Sequence, residues 1–321
     1  MKAKRVSEKI VRRKNMIVVR IILLAGILSA VVLVSFFSYK AIHRYLFASS
    51  SVSAMYDNWE LHSRQGYEKV YEISENIIQK KNFHNSARTF RGYSAFMLAE
   101  YETDNAKSQT YLDEAVYNLR IALQNCSKAA LPQIEYMLGR TYFYKNKLSS
   151  YHYYSDLAVK YLNLALDHGY KSDDIPLLLG LSYASLGQTD ESIAAFTEAL
   201  LVRETDTLLF DIAKQYYNNG QGSASKQYLY RVISTTRNES LLEESRILLG
   251  QIYTDEGALY DAEKEFTAIL EKNENSADAH YGLGVLYEKR GDAVRARAEW
   301  RKCLKIKFDH PGALQKMSEA K

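Results

Sequence analysis

Proline, glycine and cysteine are scarce in this chain: 3, 15 and 2 among 321 residues. So little turn material disfavours a strand-rich sandwich or barrel, and two cysteines exclude a disulfide scaffold. Motifs of common chemistry are absent too. There is no phosphate-binding glycine loop, no HExxH, no CxxC pair and no serine-centred elbow. The seven histidines have no i, i+4 partner that would make a metal face on a helix. These absences point away from an enzyme and require no cofactor or metal. What is abundant is apolar and aromatic: 47% hydrophobic residues, with 26 tyrosines. An all-helical chain is the expectation.

The net charge of +4 is unevenly spread. Residues 1–40 hold nine Lys/Arg against the single acid Glu8, a net of +8; the remaining 33 basic and 37 acidic residues sum to −4. Beyond the tail there is no bulk attraction for nucleic acid.

Ile21 to Tyr39 are free of charge, and Met16 to Val19 extend the apolar run. At about 1.5 Å per residue the charge-free stretch reaches roughly 28 Å, the depth of a hydrocarbon core. Residues 16–39 are therefore expected to form a transmembrane helix, with Arg20 snorkelling to the headgroups and Phe36, Phe37, Tyr39 and Tyr45 at the far interface. A cleaved signal peptide is the alternative. The run exceeds its usual apolar core, and the nearest small-residue cleavage site, Val52-Ser53-Ala54, lies well beyond. Seven Lys/Arg precede the run and only Lys40 and Arg44 closely follow it, so residues 1–15 are expected in the cytoplasm and the rest across the membrane. Residues 40–54 read as a linker, ending in the small, polar stretch ASSSVSA.

The remainder, 55–321, is organised by a ladder. Leu283-Gly284 is followed by Tyr287, Gly291, Ala296, Trp300 and Cys303; 34 residues earlier stand Leu249-Gly250, Tyr253, Gly257, Ala262, Phe266 and Ile269. Older copies run Leu179-Gly180, Tyr183, Gly187, Ser192, Phe196, Ala199 and Ile212-Ala213, Tyr216, Gly220, Ser225, Leu229, Val232. In a copy opening Leu138-Gly139, Tyr142, the second helix resumes seven residues late at Ala158, Leu162 and Ala165, which predicts a longer loop or an extra turn over Lys147 to Ser155. Gly92 opens another copy, with Ala115, Leu119 and Ala122 displaced by eleven and residues 100–110 as the insertion. Asn58, Trp59 and Leu61, then Tyr67, Val70 and Ile77, suggest a degenerate first pair, and Gly312 to Ala320 a capping helix. Physically, the small residues let two helices approach closely and the large ones fill the gap between pairs.

This ladder closely resembles the tetratricopeptide repeat, clearest over 132–310. The resemblance implies an all-α fold in which the transmembrane helix is followed by a right-handed solenoid of about six or seven helix pairs. It also implies a concave groove lined by first-helix residues at set offsets from the glycine. Mapped here, these are Tyr93, Phe96 and Met97; Tyr136, Arg140, Phe143 and Tyr144; Phe210, Lys214 and Tyr217; Gln251 and Tyr281. Aromatics between the cations Arg140 and Lys214 suit an extended or helical peptide, although most tyrosines in such repeats simply stack helix pairs. The two-carboxylate clamp of chaperone-tail-binding relatives is not supported, because its slots hold Tyr136 with Arg140 and Leu177 with Leu181.

Tyr151, Tyr153 and Tyr154 in the insertion either meet a partner or fold back on the solenoid. Cys303 sits in a small-residue slot as core filler, and Cys126 is a candidate for pairing between chains. Asn125-Cys126-Ser127 and Asn238-Glu239-Ser240 match the glycosylation triplet, relevant only in a eukaryotic secretory pathway. The expected function is a membrane-tethered extracytoplasmic scaffold for a protein or peptide partner, set in the periplasm on a bacterial inner membrane. The alternative is a homo-oligomeric structural part of a periplasmic machine, such as a ring or collar at a flagellum.

Overall fold

The computed structural model describes residues 28–39, 52–149 and 154–319. The expected basic tail (1–15), the first half of the apolar run (16–27), most of the linker (40–51), and Tyr151 and Tyr153 lie outside the described residues. Residues 28–39 are helical (α1). Among the described residues no helix is long and apolar enough to cross a membrane, and all regular structure is helical.

The helices fall into two compact units that meet in sequence at Ser127 and Lys128. The first holds α2 (Val52–Trp59), α3 (Arg64–Lys80), α4 (Asn85–Tyr101) and α5 (Asn105–Gln124). Because α2 begins at Val52, the last three residues expected as linker are helical. Met55, Val70, Ile73, Ile78, Ala87 and Phe90 form the core joining α2, α3 and α4, and Trp59 packs on Tyr67, Phe90 and Tyr93. Side-chain caps start three of these helices. Ser63 Oγ accepts from the Gly66 amide, His84 Nδ1 from Ala87, and Asp104 from Ala106 and Lys107.

The second unit stacks five helix pairs and a last helix. They are α6 (Leu131–Leu148) with α7 (Ser155–Asp167), α8 (Ile175–Ser185) with α9 (Thr189–Val202), and α10 (Asp206–Asn218) with α11 (Gly222–Thr235). Then come α12 (Glu239–Asp255) with α13 (Leu259–Leu270), α14 (Ala277–Lys289) with α15 (Ala293–Ile306), and α16 (Pro311–Glu319), which confirms the expected cap. All three prolines stand in the first turn of a helix, α6, α8 or α16, where a missing amide hydrogen costs nothing.

The ladder glycines are forced by close approach. A Cβ on Gly180 would stand 2.3 Å from the Phe196 ring, and one on Gly284 2.2 Å from the Trp300 indole. Phe266 is wedged on two sides, since a Cβ on its own Gly250 or on Gly282 of the next pair would come within 2.7 and 2.4 Å of it. One ring thus fills both the gap within a pair and the gap between pairs. Where the twelfth ladder position is serine, its hydroxyl donates to the carbonyl opposite: Ser192 to Gly180 at 2.8 Å and Ser225 to Ala213 at 2.7 Å.

The seventh ladder position ends the first helix. Gly187, Gly220, Gly257 and Gly291 have φ of 70°, 71°, 78° and 78°. The amide of the following residue donates back to the ladder tyrosine carbonyl, for example Gln188 to Tyr183 at 3.0 Å and Asp292 to Tyr287 at 2.9 Å, the left-handed helix stop. Two copies have no glycine there, and both insertions follow from that. With Ala99 in the slot, α4 runs on to Tyr101; with Asn146, α6 runs on to Leu148. The insertion expected over 100–110 takes a helical form: those residues lengthen α4 and α5, leaving only 102–104 between the helices.

Candidate functional site

First helices of consecutive pairs touch in the second unit, α6 with α8, α10 with α12 and α12 with α14. Their shared face carries the expected groove residues of this unit. Arg140, Phe143, Tyr144, Tyr217, Gln251 and Tyr281 are half-buried on it and Lys214 is exposed. Phe143 and Tyr144 meet edge to face at 5.6 Å.

Bonds one repeat period long tie this face together. The Tyr217 hydroxyl donates to Asp255 at 2.8 Å, and Lys289 Nζ stands 3.3 Å from the same carboxylate while donating to the Thr254 carbonyl. At the other end, Tyr136 stacks on Tyr170 at 4.5 Å and its hydroxyl donates to Asp174 at 2.8 Å; Arg140 Nε lies 3.7 Å from that carboxylate. Burial, with the adjoining carboxylate adding to it, pushes the phenols of Tyr136 and Tyr217 up to about 12; Ser172 and Arg140 pull the other way on Tyr136. Both are therefore neutral donors committed to an aspartate. The sequence reading missed Asp174, Asp255 and Lys289, although each stands 34 to 38 residues from its partner, about one repeat away.

Four groove assignments need correction. Tyr136 and Phe210 are buried in the second unit, and Tyr93 and Phe96 in the first. Each fills space between helices, which leaves no face for a partner. Tyr281 is covered from one side by α16, with its ring 4.7 Å from His310 and tightly against Gly312. Lys214 lies 5.5 Å over the Phe210 ring and 3.5 Å from Asp211, so it is lightly held. Of the insertion residues, Tyr154 folds back: it stacks near Tyr142 at 6.2 Å, lies under Lys145, and its amide donates to Asn146 Oδ1.

Four positions before the glycine, a polar residue ties the two helices of several pairs. Arg246 bonds Glu265 at 2.5 Å, His280 bonds Glu299 at 2.6 Å, and in the first unit Arg88 bonds Asn118 at 2.7 Å. Cys303 is a buried free thiol, and that burial raises it to about 11, as befits packing rather than reactivity. Among the described residues no group of three or more His, Cys, Asp or Glu is placed to hold a metal ion.

Tetratricopeptide repeat models match residues 177–206 and 247–302. No curated protein matches the sequence. Among solved structures, the C-terminal part of a TPR repeat-containing protein from Cytophaga hutchinsonii aligns over 81% of this chain and 98% of its own, at 14% identity and a TM-score of 0.54. YrrB, described as a TPR protein with an unusual peptide-binding site, covers 60% of this chain and 96% of its own at 24% identity and a TM-score of 0.44. MamA covers 56% and 93% at 16% identity and a TM-score of 0.46. Residues 177–206 and 247–302 are tetratricopeptide repeats, and the helix-pair fold around them agrees with the ladder.

Proposed function

We propose that this protein is a membrane-tethered scaffold that holds a protein partner on the first-helix face of its second unit. The observation that carries the reading is the row Arg140, Phe143 and Tyr144 on α6, then Lys214 and Tyr217 on α10, then Gln251 on α12, at matching ladder positions and not withdrawn into the core. Stacked helix pairs create extended binding surfaces of this kind. Rings locked by bonds such as Tyr217 to Asp255 offer flat contact area at little entropic cost, and Lys214 adds a lightly held charge.

Tethering rests on residues 16–39. Within that run, all twelve residues of α1 are uncharged and exposed, with Leu28, Val34 and Phe37 at 69%, 65% and 64%. Its only polar residues besides the terminal Tyr39 are Ser29, Ser35 and Ser38, and an uncharged, mostly apolar helix of this kind is at home in a bilayer. The excess of Lys/Arg before the run supports residues 1–15 on the cytoplasmic side, with the repeats beyond the membrane, in the periplasm of a bacterial envelope.

The test is photocrosslinking in intact membranes, with a photoreactive residue at position 144 compared with one at 153. A different protein captured at 144 and lost in Arg140→Glu supports the scaffold. Self-crosslinks at 153 with nothing captured at 144 overturn it in favour of a self-assembling part.

A further inference from the structure

We infer that the cleft between α3 and α5, floored by Arg91 of α4, binds a small zwitterion with a carboxylate and an ammonium group, the charge pattern of a free amino acid. The cleft belongs to the first unit and needs neither the groove nor the membrane tether.

One rule of the ladder is broken at this cleft. The residue before the ladder anchor is Leu138, Leu179, Ile212, Leu249 and Leu283 in the five pairs of the second unit, and all five are buried. The same slot before Gly92 holds Arg91, itself more than nine-tenths buried. A guanidinium in an aliphatic slot loses hydration and side-chain packing together. Departures of this kind from an otherwise consistent pattern collect at functional sites.

The surroundings hold Arg91 without satisfying it. Its Cζ lies 3.3 Å from the centre of the Tyr71 ring, and Nη1 donates to the Tyr71 carbonyl at 2.8 Å, so the plane of the fork is clamped. Glu75 approaches Nη2 at 3.3 Å and Glu114 approaches Nε at 3.6 Å. Nε is buried and has no hydrogen-bond acceptor. Arg88 beside it is different, with Nε donating to the Asn82 carbonyl at 2.8 Å, Nη1 to Asn118 at 2.7 Å and Nη2 to the Asn82 side chain. Arg88 is a finished strut, whereas Arg91 is a preset fork whose Nε has no acceptor within hydrogen-bond distance.

The two acids cover Arg91 loosely. Their side chains are 41% and 40% exposed, so they can part at small cost. The cleft measures about 440 Å³, within the range of small-molecule sites, and Ile78 and Tyr117 give it an apolar wall. Its two arginines and two glutamates cancel. A bare anion would meet the glutamates and a bare cation would meet Arg91, whereas a zwitterion places its carboxylate on the Arg91 fork and its ammonium between Glu75 and Glu114.

The full chain in detergent, titrated singly with each protein amino acid, tests this by calorimetry and by the Arg91 Nε–Hε magnetic resonance signal. The expected result is saturable binding of at least one amino acid that moves this signal, weakened about tenfold or more in its amide and its N-acetyl form. A tripeptide ending in the same residue separates a free amino acid from a chain terminus. Arg91→Leu, which installs the residue of the other pairs, is expected to abolish binding with the unfolding midpoint unchanged or raised. Arg91→Lys, which keeps the charge and loses the fork, is expected to weaken binding about tenfold. The inference is overturned if no amino acid moves the signal, if the amide binds as well as the acid, or if both variants bind like the parent protein.

Discussion

The pair α4–α5 and the pair α14–α15 are built on one ladder, and two of the slots at which they differ show what that ladder tolerates. In α14–α15, Gly291 ends the first helix with φ of 78° and Leu283 fills the aliphatic slot. In α4–α5, Ala99 lets α4 run on to Tyr101, and Arg91 replaces the leucine. The fold survives both changes because the contact that defines the pair is kept: a Cβ on Gly92 would meet Leu119 at 2.5 Å, as one on Gly284 would meet Trp300 at 2.2 Å. The small anchor and the large side chain packed on it, whether Leu119 or Trp300, specify the pair, whereas the helix stop and the aliphatic slot can change.

The sharpest way to break the comparison is to remove a ring. Phe266→Ala empties a site shared by two pairs and is expected to cost about 3–5 kcal/mol in urea unfolding. Next comes the anchor itself. Gly284→Ala drives a Cβ into the Trp300 indole and is expected to lose about 1–3 kcal/mol despite alanine's better helix propensity, with a shift in tryptophan fluorescence reporting the displaced ring. Smaller still is the stop. Gly187→Ala puts a side chain at φ of 70° and should cost about 1–2 kcal/mol; conversely, Asn146→Gly should let α6 end earlier, read as faster amide exchange over 146–148.

The smallest effect is a pH slope. Tyr136 and Tyr217 are raised from 10.0 to about 12 in the folded state, so their neutral phenols favour folding fully below pH 10, and that contribution disappears as pH rises from 10 through 12. Tyr217→Phe is expected to flatten the fall of the unfolding midpoint across that window, and an unchanged slope would show that Tyr217 plays no part in it.

Most of the fold was legible because its determinants are local or recur at a fixed spacing. Gly284 and Trp300 are sixteen residues apart, and the same spacing returns at Gly250 with Phe266 and at Gly180 with Phe196. The insertions were located in the chain, with an extra turn among the forms expected over 147–155, but the helical form of 100–110 was not foreseen, because whether polar residues such as 105–110 loop out or extend a helix depends on the slot that stops the preceding helix. The groove was legible only in part. An offset from glycine finds the face of a helix but not what covers it, so Tyr93, Phe96, Tyr136 and Phe210, counted onto the face, proved to be buried between helices. The arginine before Gly92 stood in plain view among five Leu or Ile residues, and comparing that slot across the repeats is the signal that finds it.

By itself, the sequence determined the helical class, the repeat period and the pairing of small with large residues, because each is a periodic pattern of side-chain size along one chain. Only the tertiary structure decided which tyrosines are donors tied to Asp174 and Asp255, which rings are buried, and that Arg91 is clamped with an unfilled Nε. Those outcomes depend on atoms brought together from different helices, where burial and hydrogen-bond geometry, rather than spacing along the chain, set what a side chain can do.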